Sequence, residues 1–234
     1  MDRFLSNCAQ YIYNKHFFEL HKICLVFPNR RAGVFCSSYL QKHISEAAIS
    51  PYVTQVNRLM SGYSDISTGE QLNMISILYK IFKKHTGSCE SFDDFYFWGE
   101  VLLSDFNDID NYLVDARDLY RNIAGLKDIE SHFFYLTKEQ KDAIEHFWNS
   151  LEKVEKKRSR DHFISIWEKL YPIYIDFKKE LEVKGFGYTG MIYRKVVEKL
   201  KTDRLQLEFN KYYIIGLNAL NRCEEEFFSY LKKE

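Results

Sequence analysis

The stretch Ile23-Cys24-Leu25-Val26-Phe27-Pro28-Asn29-Arg30-Arg31 decides how the chain is read. Five consecutive apolar residues closed by Pro-Asn are too short a run for an ordinary helix, and such a run marks a strand buried on both faces. A strand of that kind belongs to a parallel sheet with helices laid over it. Beyond the loop, positions Val34, Phe35, Ser38, Tyr39 and Ile44 follow a helical period, so the segment reads as strand, loop, helix.

Upstream, Leu5, Cys8, Ala9, Ile12 and Tyr13 predict a helix over residues 4–18, and downstream Tyr52-Val53-Thr54-Gln55-Val56 after Pro51 predicts a second strand. From residue 67 the pattern turns to helices only. Ser67-x-x-Glu70 and Thr137-x-x-Gln140 read as capping boxes, in which a hydroxyl accepts from a free backbone N–H and the acid or amide bonds back. Stripes follow at Leu72, Ile75, Leu78, Tyr79, Phe82, at Ile144, Phe147, Leu151, Val154, and from Phe163 to Leu181, where Pro172 predicts a kink. Segments 92–110 and 114–123 are helical by the same period. Strand character returns at Tyr212-Tyr213-Ile214-Ile215-Gly216-Leu217, and Asn221-x-x-Glu224 opens a last helix. The expected fold is a predominantly helical α/β domain with a small parallel sheet, split by a large all-helical insertion. Residues 1–66 form its first part, 67–205 the insertion and 206–234 the return. So few parallel strands leave both sheet edges unpaired, which leads to the expectation that the chain is the front portion of a longer one.

Composition narrows the function. The 234 residues carry 33 Lys plus Arg against 33 Asp plus Glu, so no global field draws the chain to nucleic acid or membrane, and any such contact is local. With 46% apolar and 17% aromatic residues, a disordered or fibrous chain is excluded. No apolar run approaches the roughly 20 residues that span a bilayer, and Met1-Asp2-Arg3-Phe4 does not open an export leader. Five cysteines at irregular spacing fit a reduced, cytoplasmic setting, with Cys24 and Cys36 as small buried hydrophobes and no metal or cofactor site.

Several clusters compete as sites. Asn29-Arg30-Arg31 sits where a strand gives way to a helix, a place that favours an anion, and paired guanidinium groups suit phosphate; the alternative is a solvated loop. A nucleotide-binding loop needs Gly-x-x-x-x-Gly-Lys-Ser/Thr, a string that the sequence does not contain, so ATP hydrolysis by this chain is not expected. Asp93, Asp94, Glu100, Asp105, Asp108, Asp110, Asp115 and Asp118 form an acidic stretch whose helical phase spreads them over the surface, with Ser91 starting a helix. Asp176 with Glu182-Val183-Lys184 imitates a nuclease core but lies on a helix and is set aside as chance. Lys153, Lys156, Lys157, Arg158 and Arg160 read either as a basic patch or as a helix end solvated beside its own dipole.

Leu25-Val26-Phe27-Pro28-Asn29-Arg30-Arg31-Ala32-Gly33 resembles the strand and loop after the nucleotide-binding helix of AddB/RexB-like proteins, the inactivated helicase partners in AddAB recombination complexes. Ser50–Gln55, Phe92–Glu100 and Gly190–Arg194 share the resemblance, and Tyr213–Leu220 is similar to the family's counterpart of the magnesium-binding helicase strand. The nearest likeness is to the helicase-like front of PD-(D/E)XK nuclease family proteins. The resemblance implies a degenerate P-loop helicase-like domain in which Ile215 and Gly216 replace the acidic pair, so this chain is no enzyme by itself although its parent is a nuclease. It further implies DNA repair and recombination as the setting. Single-stranded or unwinding DNA would lie at Asn29, Arg30, Arg31 and Thr54, and a helicase subunit or the remainder of the chain would be the protein partner. The open alternative is a helical protein-interaction module that binds no DNA, and no membrane partner is implied by either.

Overall fold

A computed structural model of the chain describes residues 2–44, 48–125, 159–202 and 205–233. Its centre is β1 (Ile23–Phe27), where all five residues are buried, as a continuous apolar run requires. Two parallel neighbours flank it: β2 (Tyr52–Gln55) pairs from Cys24↔Tyr52 to Phe27↔Gln55, and β5 (Lys211–Ile214) pairs from Ile23↔Lys211 to Val26↔Ile214. The order β2-β1-β5 leaves β2 and β5 as the edges of a three-stranded sheet.

Successive side chains of β1 point to opposite faces. Ile23, Leu25 and Phe27 join a buried cluster with Leu5, Ala9 and Ile12 of α1 (Asp2–His16), Leu20 of the following 3-10 turn, and Cys36 and Leu40 of α2 (Arg30–Gln41). Against β1 also lies α3 (Val56–Ser61), which packs on α8 (Thr189–Thr202); α8 in turn packs on α9 (Arg222–Leu231). The predicted strand–loop–helix unit, the first helix and the parallel sheet are thus present in the structure. Asn221 caps α9 in a complete capping box with Glu224.

The structure divides the chain into two compact units. The first comprises residues 1–69, 110–113 and 185–234 and holds the sheet. The second comprises 70–109 and 114–184, and its described residues form helices: α4 (Gln71–Thr86), most of α5 (Phe92–Asn111), α6 (Ala116–Gly125) and α7 (Ser159–Val183). In its core Phe106 meets Tyr174 and Phe177, and α4 and α6 both pack on α7. This division differs from the span 67–205 expected for an insertion, because α8 and residues 110–113 fall in the first unit.

One expected cap is corrected. Ser67 and Thr68 form a short strand, β3, which pairs in parallel with β4 (Phe186–Gly187), and α4 begins only at Gln71 with no side-chain cap on Glu70. Ser67 N–H donates to Gly185 O at 3.0 Å, a long-range ladder bond that wins over the local cap. Pro172 lies within α7, which continues through it. The Thr137-x-x-Gln140 box, the stripe from Ile144 to Val154 and most of the basic patch lie outside the described residues. Among the described residues no helix is long and apolar enough to cross a membrane.

Candidate nucleic-acid interface

Parallel strands end on the same side of a sheet, and ligands of open α/β sheets collect at those carboxyl ends. Here β1 and β2 end side by side, Phe27 opposite Gln55, and each passes almost at once into a helix, α2 at Arg30 and α3 at Val56. Between the two junctions lies a cleft of about 500 Å³. Its wall from α2 carries Arg30, Gly33, Val34, Ser37, Ser38 and Gln41, one helical stripe; β2 and α3 supply Val53, Thr54, Gln55 and Arg58, and the loop supplies Asn29. Among the described residues, the lining therefore holds two guanidinium groups, six uncharged hydrogen-bonding side chains and no carboxylate.

Local chemistry explains the wall. Asn29 has extended backbone and its Oδ1 accepts from Ala32 N–H at 2.9 Å, so it is the N-cap that starts α2, and its amide NH2 is left as a donor. Gly33 lets the helix settle onto the sheet: a Cβ there would stand 2.8 Å from Val53 Cγ1 and 3.4 Å from the Phe27 ring. A larger residue would lift α2 and widen the gap between Arg30 and Arg58.

The four sequence-selected residues take different places. Asn29 and Arg30 line the cleft, Arg30 being exposed. Arg31 is exposed but turns to the next face of α2, where its guanidinium carbon lies 5.6 Å from the centre of the Phe35 ring. Thr54 is 6% exposed and its hydroxyl donates to Gln55 O at 3.5 Å, so it forms floor more than rim. Arg58, which sequence reasoning passed over, is exposed on α3 and completes the cationic pair. No local pattern marks it: only the pairing of β2 beside β1 brings this residue, which follows the second strand-to-helix junction as Arg30 follows the first, to the same cleft.

Other charged groups serve the fold. The expectation that the acidic stretch lies on the surface fails at Asp110, which is wholly buried. Its Oδ1 is 2.7 Å from Arg194 Nε, its Oδ2 accepts from Tyr188 OH at 2.6 Å, and its backbone carbonyl accepts from Cys223 Sγ at 3.3 Å. A carboxylate enters an interior only with such partners, and Arg194 arrives from far along the chain. Ser91 does start a helix, its Oγ accepting from Asp94 N–H at 3.2 Å and donating to Asp94 Oδ2 at 2.6 Å. Asp176 bonds to His85 Nε2 at 2.9 Å, which holds its carboxyl below the usual range, and Lys184 pairs with Glu180. Burial pushes the Cys24 thiol up to about 12 and Cys36 up to about 11, as inert buried sulfur should behave.

At the far edge of the sheet β5 ends at Ile214, and Ile215 N–H still donates to Val26 O at 2.9 Å. Gly216 follows with φ +75°, a left-handed turn that suits glycine. Among the described residues no group of three His, Cys, Asp or Glu converges as metal ligands. No protein-family model matches the chain, and no curated protein matches it.

Proposed function

We propose that the chain is a non-catalytic, helicase-like module that binds single-stranded DNA at the carboxyl ends of β1 and β2, as part of a DNA-repair nuclease of the AddB-like kind. The observation that carries this reading is the cleft itself: in a chain of zero net charge, two guanidinium groups face a gap rich in hydrogen-bond donors and, among the described residues, lined by no carboxylate. Phosphodiesters are the ligands that such a lining recognises, because Arg30 and Arg58 supply charge and forked donors while Asn29, Ser37, Ser38 and Gln41 supply neutral ones. The resemblance of Phe27-Pro28-Asn29-Arg30-Arg31 to the helicase-like family supports DNA as the polymer.

Titration of a fluorescent oligonucleotide tests it. Replacing Arg30 and Arg58 together by Ala should weaken single-strand binding about ten-fold or more, since charge-assisted hydrogen bonds are lost. The slope of log affinity against log salt should also flatten by about 0.7 for each phosphate contact removed. Unchanged affinity would end the assignment. It would favour the second reading, a protein-interaction module, for which the helical unit offers Phe97 at 66% exposure and Leu72 at 52%.

A further inference from the structure

Arg30 and Arg31 are neighbours in sequence, yet they occupy different faces of α2. Arg30 begins the stripe that lines the cleft, and Val34, which is 59% exposed, follows one turn later. Arg31 and Phe35 form the adjoining stripe, four residues apart, with the guanidinium carbon 5.6 Å from the ring centre. Phe35 keeps 42% of its surface exposed beside the exposed Val34, whereas Cys36 and Leu40 on the opposite side of the helix are buried. An exposed aromatic ring faced by a planar cation, beside a cationic cleft, has the chemistry that receives an unpaired nucleobase.

We propose that Phe35 and Arg31 form a base-stacking platform, which makes the cleft selective for single strands carrying bases. This rests on the phosphate reading of Arg30 and Arg58 and adds a second kind of contact to it. A strand whose phosphates lie along Arg30 and Arg58 can turn a base outward over Val34 onto Phe35. A duplex cannot, because its bases are already stacked within the helix. Arg31 then acts through its flat guanidinium face, whereas Arg30 acts through charge and hydrogen bonds. Stacking tolerates any base, so little sequence preference is expected.

The test uses the full chain and three probes of equal length: oligothymidylate, an abasic strand with the same backbone, and a duplex. The wild type should bind oligothymidylate about five-fold or more tightly than the abasic strand, the range expected when one base loses its aromatic partner. Phe35→Ala should lose that preference while holding the abasic strand as before, and Phe35→Tyr should restore it. Arg31→Lys, which keeps the charge, should reduce the preference in part. An unaltered preference in Phe35→Ala, or equal losses for both strands, overturns the platform. Binding that depends on Arg30 and Arg58 but not on Phe35 overturns the platform alone, whereas failure of the wild type to bind any strand overturns both readings. Thermal melting of each variant separates a lost contact from a lost fold.

Discussion

At the scale of single residues, Gly33 shows how little room the cleft allows. Its absent side chain lets α2 rest on Val53 and Phe27, and the contact distances leave a methyl group nowhere to go without a shift. Gly33→Val should therefore destabilise the protein by about 1–3 kcal/mol through overpacking, seen as a lower melting temperature. It should also weaken nucleic-acid binding, because Arg30 is carried on the helix that would be lifted. Asn29 and Arg30 could be picked from the string itself, since a strand-closing Pro-Asn before a helix is a local signal. Arg58 could not, because its relevance depends on β2 lying beside β1, a pairing between segments that local pattern does not specify. The split between Arg30 and Arg31 was equally hidden, as a one-residue step turns a helix by about 100°.

Among elements, long periodic or continuous apolar segments were legible and short ones were not. β1 announced itself by five buried residues in a row, whereas β3 and β4 are two residues each and carry no apolar pattern. The Ser67-x-x-Glu70 motif consequently reads as a cap, although Ser67 commits its N–H to a ladder with Gly185. The matching motif at Asn221 is a true cap: Asn221 Oδ1 accepts from Glu224 N–H at 2.9 Å and Glu224 Oε2 accepts from Asn221 N–H at 3.1 Å. Asn221→Ala should cost about 1 kcal/mol, measurable by urea denaturation. The end of α1 is joined to β5 by a different device, His16 Nε2 lying 2.6 Å from the Tyr213 hydroxyl. Burial, then the nearby Lys211 and Lys15, lower the pKa of this imidazole, with Glu19 opposing them. The unfolded chain thus binds a proton at a pH where the folded one does not. Stability from this site is fully present above the unfolded value of about 6.5 and declines as pH falls through the folded value. Urea midpoints at pH 7.5 and 5.5 should differ less in His16→Gln than in the wild type.

For the whole molecule, the sequence disclosed a sheet-bearing part and a helical block but placed their borders by pattern, and pattern is blind to where a helix end is anchored. Asp110 looked like one more surface acid on α5, and only its ties to Arg194, Tyr188 and Cys223 place it in the interior of the first unit. Breaking a buried pair leaves the other charge uncompensated, so Asp110→Ala should cost about 3–5 kcal/mol, whereas loss of an exposed acid such as Asp118 should be close to neutral. Chemical denaturation of the two variants checks the contrast. The chain leaves the first unit after residue 69, returns for residues 110–113, leaves again, and comes back at 185. The helical block is consequently no detachable cassette: joining Gly69 straight to Gly185 would discard Asp110 along with it and strip Arg194 of its carboxylate. A redesign that shortens or exchanges those helices must carry the Asp110 to Leu113 quartet through the change or rebuild the interior around Arg194.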